Sequence, residues 1–167
     1  MKATFWAFGL ALVWLLSGCG SSYSGYKRAP YSIKGIRYTP MTVEQALRFR
    51  EEGIASWYDE RRLFGLLSGT TAIGEDFRAG RLAGAHKTLP LPCRVRVTNL
   101  ENGKATTIRV NDRGPFIANR ILDVTPEVAE RLDFKKQGLV RVRLEVLSVG
   151  DGEFRRSAFQ ERRFWFF

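Results

Sequence analysis

Three ionisable side chains lie where the sequence is most heavily punctuated. Glu75 closes Thr71-Ala72-Ile73-Gly74-Glu75, His86 lies in Ala85-His86-Lys87-Thr88-Leu89-Pro90, and Asp112 opens Asp112-Arg113-Gly114-Pro115-Phe116. Glycine and proline interrupt regular structure, so each group falls at a strand end or in a loop, where reacting groups are often held by a rigid scaffold. Two carboxyls and one imidazole are the side chains of general acid–base chemistry. Plainer readings stand beside this one. A lone histidine is more often a satisfied structural residue, and Asp-Arg-Gly-Pro also describes a turn held by an Asp hydrogen bond.

The elements that must position these groups are mostly strands. Arg94–Thr98 and Leu139–Leu147 alternate apolar with polar residues, which predicts strands with one buried face. Asn102-Gly103 predicts a hairpin turn joining the first of these to Ala105–Val110. Ile54–Tyr58 and Ile121–Val124 are shorter strand candidates. Thr42 as a cap, with Glu44 and Gln45 in the first turn, predicts a helix over Thr42–Glu52. Thr125-Pro126-Glu127 predicts a second, with Thr125 as the cap followed by Pro at its first position, ending near Leu132. Short strands with one or two short helices predict a mainly β fold, a small barrel.

Composition narrows the function. The 167 residues support one domain of ordinary size, with tails. A single histidine excludes zinc sites built on several imidazoles, and two cysteines exclude a disulfide-dense scaffold. No phosphate-binding glycine motif occurs, and no metal or cofactor is implied. The net charge of +10 favours anionic partners. Nucleic acid is not expected, because no zinc-finger or RNP-type signature occurs and the N-terminus reads as an export signal.

That N-terminus places Lys2 before an uncharged run from Ala3 to Leu16. At 1.5 Å per residue the run spans about 21 Å, short of a bilayer core. It ends in Leu16-Ser17-Gly18-Cys19, which resembles the lipobox of bacterial lipoproteins. The resemblance implies cleavage before Cys19, a lipid anchor on its sulfur, and, with Gly20 following, an outer-membrane location facing the periplasm. The expected organisation is a signal peptide over 1–18, a lipidated cysteine and tether over 19–41, a barrel domain over 42–149, and a basic, aromatic tail over 150–167. The tail reads as folded back on the barrel or as a contact with a membrane surface or partner. Cys93 reads as a lone buried thiol.

Five motifs in order carry a further resemblance: Gly53-Ile54-Ala55-Ser56-Trp57-Tyr58, Thr71-Ala72-x-Gly74-Glu75, Ala85-His86-Lys87-Thr88-Leu89-Pro90, Arg94–Asn99, and Val110-Asn111-Asp112-Arg113-Gly114-Pro115-Phe116. Over roughly residues 31–148 the chain resembles the rare lipoprotein A family. This implies a six-stranded double-psi β-barrel and a lytic transglycosylase acting on peptidoglycan glycan strands. It also implies that Asp112, Glu75 and His86 fall on the proposed active-site positions. Trp57, Tyr58, Asn111 and Arg113 are expected to contact substrate, with Trp57 equally readable as core and Arg113 as a brace for the loop. In that chemistry one carboxyl, assigned here to Asp112, serves first as acid and then as base. Glu75 is expected to stabilise positive charge or to raise the Asp112 pKa by repulsion, and His86 to orient a carboxylate or meet a sugar oxygen. Three departures stand out. The stretch Asp59–Thr70 is longer and more apolar than the family's, with Ile73 where Asn or Ser is usual. Leu91-Pro92-Cys93 replaces Phe-Gly-Thr, and the residues after Leu147 are too few for the SPOR domain that many members carry. The alternative reading is a non-catalytic, peptidoglycan-binding scaffold lipoprotein.

Overall fold

The computed structural model describes residues 25–59, 61–62 and 67–158. The segment expected to be a signal peptide, Cys19 and the end of the tail lie outside them. In chain order the elements are β1 (Tyr31–Ile33), β2 (Ile36–Tyr38), α1 (Val43–Leu47), β3 (Arg50–Trp57), β4 (Arg61–Arg62), β5 (Leu67–Ser68), β6 (Ala83–His86), β7 (Cys93–Asn99), β8 (Ala105–Asp112), β9 (Arg120–Val124), α2 (Pro126–Arg131), β10 (Leu139–Val149) and β11 (Arg156–Ser157).

Strands β10, β3, β9, β6, β8 and β7 are hydrogen-bonded in that order, and β7 pairs back onto β10 to close a six-stranded barrel. Two neighbours run parallel, β3 with β9 and β6 with β8; the rest are antiparallel. The chain leaving β3 must pass β9 to reach β6, and the chain leaving β8 must pass β6 to reach β9. These two crossings make the barrel a double-psi barrel. They also make long loops of residues 58–82 and 113–119, which carry Glu75 and adjoin Asp112.

Alternation supplies the core. In β10, Val140, Val142, Leu144 and Val146 turn inward, and in β7, Cys93, Val95 and Val97 do the same. Cys93 is fully enclosed, and burial pushes its thiol up to about 12. The expected hairpin at Asn102-Gly103 is present, with Gly103 at φ +75°.

Three local expectations change. The first helix stops at Leu47, although Thr42 and Gln45 form the full capping box. From Arg50 the chain pairs with β10 instead, and a gain in ladder hydrogen bonds outweighs weak helix propensity. The segment read as a tether contains an ordered ribbon, with Tyr31 opposite Tyr38. Thr125 does not cap α2; its hydroxyl donates to the Arg81 carbonyl at 2.5 Å.

Strand β6, Ala-Gly-Ala-His, is buried along its whole length and sits between β9 and β8. Close approach is its reason for small residues. A Cβ on Gly84 would lie 2.8 Å from the Asp123 carbonyl oxygen and 3.1 Å from Ile108 Cδ1. Gly84→Ala is therefore expected to lose about 1–3 kcal/mol of stability. Urea unfolding checks this, and an unchanged midpoint would show that β6 and β9 can separate freely.

Candidate active site

Strand β8 organises the polar centre. Arg109 and Asn111 are two residues apart, so they share one face of the strand. Both donate to the same oxygen of Glu75: Arg109 Nη1 at 2.6 Å and Asn111 Nδ2 at 2.9 Å. The other side of the guanidinium, Nε and Nη2, donates to Asp151 Oδ2 at 3.0 and 2.6 Å. Arg109 thus bridges two carboxylates. Burial pushes the Glu75 carboxyl up, but the Arg109 and Asn111 hydrogen bonds and the Arg109 charge outweigh it and hold the group below the ordinary glutamate range. Glu75 is kept ionised.

Asp112 ends the strand and is treated differently. Its Oδ1 accepts the backbone N–H of Ala72 at 2.8 Å and of Arg113 at 2.7 Å, while the Tyr58 hydroxyl lies 3.5 Å from Oδ2. Burial dominates these contacts and raises the carboxyl above the ordinary aspartate range. Glu75 is not among the causes, so the expected like-charge repulsion is not what raises it.

One loop holds both groups. The Thr71 hydroxyl accepts the Glu75 N–H at 3.1 Å, the Thr71 N–H bonds the Glu75 carbonyl, and Ala72 from the same turn reaches Asp112. Ile73, the unusual residue here, is buried in the core cluster and anchors the turn from below. In the stretch 59–70, Arg61–Arg62 pairs with Leu67–Ser68 as a ribbon; residues 60 and 63–66 lie outside the described residues.

The other expected site residues divide. Tyr58 sits with Asp112 and packs on Phe77, with ring centroids 5.1 Å apart. Trp57, next in the chain, faces the other way: it packs against the core, and its indole N–H donates to the Lys135 carbonyl. It does not join the two carboxyls. His86 does not either. Its Nδ1 accepts the N–H groups of Thr88 and Leu89, each at 3.1 Å, so the proton lies on Nε2, 3.3 Å from Glu51 Oε2. Burial lowers its pKa against the pull of Glu51, keeping the ring neutral. In this arrangement the ring fastens the Thr88–Leu89 turn and faces the Glu51 carboxylate rather than either site carboxyl. Arg113 braces the loop: Nη1 donates to the carbonyls of Leu89, Lys87 and His86, and Nη2 to that of Lys27. Asn111 is buried, and its Oδ1 has no partner among the described residues. The sequence reading missed Arg109 and Asp151. The two-residue spacing of Arg109 and Asn111 was a usable signal; Asp151, 42 residues from Arg109, left none.

The two carboxyls should respond oppositely to neutralisation. A lowered pKa contributes stability above the ordinary Glu range that is lost as pH falls through the folded value. A raised one contributes stability below the ordinary Asp range that is lost as pH rises through the folded value. At pH 7, Glu75→Gln is expected to cost about 1–3 kcal/mol, because it weakens hydrogen bonds to a charged partner. Asp112→Asn is expected to cost nothing or to stabilise. Urea unfolding of both variants at neutral and acidic pH tests the pair, and a destabilised Asp112→Asn at pH 7 would contradict it.

A family model described as "Lytic transglycolase" matches residues 50–144, from the first residue of β3 into β10. The proteins named endolytic peptidoglycan transglycosylase RlpA from Rickettsia prowazekii (strain Madrid E), Neisseria meningitidis serogroup A / serotype 4A and Pseudomonas aeruginosa (strain UCBPP-PA14) are 51%, 45% and 43% identical to this chain. The matches cover 70%, 72% and 71% of this chain, but only 35%, 48% and 33% of those proteins. The chain therefore spans a third to a half of the length of these curated relatives. The matched stretch takes in nearly all of the closed barrel and both carboxyls of the β8 centre, and on that evidence the chain belongs to the RlpA, or rare lipoprotein A, family.

Proposed function

We propose that the protein is a peptidoglycan lytic transglycosylase, cleaving the bond between N-acetylmuramic acid and N-acetylglucosamine in glycan strands during wall remodelling or daughter-cell separation. The observation that carries this reading is a pair of carboxyls held by one turn in opposite protonation tendencies: Asp112 biased toward the acid, Glu75 toward the anion. Such separation is how one site supplies both an acid and a charge stabiliser. The names of the relatives support the substrate class.

Two backbone N–H groups occupy Asp112 Oδ1, so the acidic proton belongs on Oδ2. It passes to the glycosidic oxygen as the C1–O bond breaks, and the N-acetylglucosamine end leaves as an alcohol. The Asp112 carboxylate then takes the proton of the muramoyl 6-hydroxyl while that oxygen bonds to C1. The product is a 1,6-anhydro sugar, no water is consumed, and Asp112 ends protonated as it began. The Glu75 anion stabilises the oxocarbenium-like charge between the two steps. Tyr58 and Arg113 shape the site around Asp112, and Asn111 holds Glu75.

The Leu16-Ser17-Gly18-Cys19 motif supports a lipid anchor on Cys19 and a place at the outer membrane facing the periplasm. The strongly basic chain suits an anionic wall polymer.

Mass spectrometry of soluble products from intact and amidase-stripped sacculi tests the reaction. Anhydromuramoyl fragments are expected, with Asp112→Asn reducing their rate about 10²–10⁴-fold. Sacculus binding without fragments would instead support the non-catalytic scaffold. The rate should be bell-shaped in pH. It falls on the acid side as Glu75 protonates, and on the alkaline side as Asp112 ionises above its raised pKa. Glu75→Gln is expected to abolish the acid limb, and an unchanged limb would remove Glu75 from its role. For the anchor, Cys19→Ser is expected to move the protein from the membrane pellet to the soluble fraction; continued pelleting would refute lipidation there.

A further inference from the structure

Beside Asp112 the structure gathers an aromatic cluster from two distant parts of the chain. Tyr31 and Tyr38 face each other across the β1–β2 ribbon, with ring centroids 5.3 Å apart and planes 18° from parallel. Phe116, from the loop that leaves β8, meets Tyr38 at 5.5 Å and 57°, and Tyr31 at 6.3 Å and 71°. Among the described residues the ribbon pairs with no other strand, and an isolated two-strand hairpin is marginal in water. Tyr31 fastens it to the barrel: its hydroxyl donates to the Lys87 carbonyl at 2.8 Å, and the Arg113 guanidinium carbon lies 5.2 Å from its ring centre.

The three rings have unequal duties. Tyr31 is committed to Tyr38, Arg113 and Lys87. Tyr38 is only half-buried, and Phe116 is 40% exposed. Phe116, four residues beyond Asp112 in the chain, joins Tyr38 in offering a partly exposed aromatic surface, which suits a ligand with an apolar face. One face of a pyranose ring presents polarised C–H bonds, which meet the electron-rich face of an aromatic ring favourably, while its hydroxyls stay at the wet rim. Two rings inclined at 57° offer adjoining faces to such a sugar. The platform is also tied to the acid. Arg113 donates its N–H to Asp112 Oδ1 and lays its guanidinium on Tyr31. A sugar seated on the rings is thereby held in register with the Asp112 carboxyl.

We propose that Tyr38 and Phe116 form a saccharide-binding platform that seats one pyranose of the glycan strand next to the bond presented to Asp112, with Tyr31 as the residue that positions it. The proposal rests on the glycan-cleaving reading above. The platform binds substrate and transition state alike, so losing it raises KM and leaves kcat nearly unchanged.

The test uses purified, peptide-free glycan strands. Equilibrium binding is measured on ice, and steady-state cleavage separately. Phe116→Leu keeps an apolar side chain of similar volume but removes the aromatic face; Phe116→Trp restores one. Phe116→Leu is expected to weaken binding about tenfold and raise KM to match, at an unchanged melting temperature. Phe116→Trp is expected to bind like the parent, and Tyr38→Leu to repeat the loss. Glycan binding within twofold of the parent in both leucine variants overturns the platform, whatever the parent's cleaving activity. A parent that binds but releases no anhydro product, with binding lost in Phe116→Leu, upholds the platform and overturns the transglycosylase reading alone. A parent that binds no glycan overturns both.

Discussion

Strand β10 is hydrogen-bonded along both edges, to β3 over Leu139–Glu145 and to β7 over Val142–Val149, and this double pairing fixes the rest of the molecule. An open sheet of the same strands would leave two rows of unpaired backbone groups. Closure removes them, and from β10 the strands follow in the order β3, β9, β6, β8, β7 around the ring. In that order the parallel neighbours cannot be joined directly, and the chain must cross an intervening strand twice. The long loop that passes β9 supplies Thr71, Ala72 and Glu75. The loop that passes β6 begins at Asp112. The candidate site is thus a consequence of strand order: two connections that must cross a strand meet at the end of β8.

At that meeting point the division of charge is local. Arg109 spends one side of its guanidinium on Glu75 and the other on Asp151. The Glu75 charge is matched at 2.6 Å and transmits little to Asp112, whose proton affinity is set by burial against two backbone N–H groups. Repulsion between the carboxyls would have made their titrations inseparable. Separate environments let each be tuned alone. Asp151 enters this account from just past β10, so the strand that closes the barrel also delivers the group that steadies Arg109.

Period-two alternation in β7 and β10 was legible because one face of each is core and the other is wet, and β8 was legible through the Asn102-Gly103 turn that leads into it. Strand β6 was not, because Ala-Gly-Ala carries neither alternation nor bulk; its smallness answers to the Asp123 carbonyl across from Gly84, a contact with no trace in the local sequence. The ribbon at Tyr31–Tyr38 was hidden for the opposite reason. Its residues read as a polar, Gly- and Pro-bearing tether, and what orders them is Arg113 and Lys87, more than 50 residues away. At the site, residue types singled out Glu75, Asp112 and His86 alike, and type alone could not tell which of them the fold brings together. Only the two backbone N–H groups on His86 Nδ1 and the Glu51 carboxylate beyond Nε2 show the imidazole fastening the Thr88–Leu89 turn.

That turn leads to the role of Arg113. Its guanidinium donates to three carbonyls of the His86–Leu89 segment and one at Lys27, and it lies against Tyr31. Carbonyl partners leave the positive charge uncancelled, and burial lowers the arginine pKa accordingly. A lysine could not replace this geometry, because only a planar fork reaches so many acceptors at once while stacking on a ring. The same residue's N–H holds Asp112 Oδ1. Backbone and side chain of one residue therefore connect Asp112, the histidine turn and the aromatic ribbon. Arg113 thus reaches the ribbon and the turn with its side chain while its backbone holds the Asp112 carboxyl.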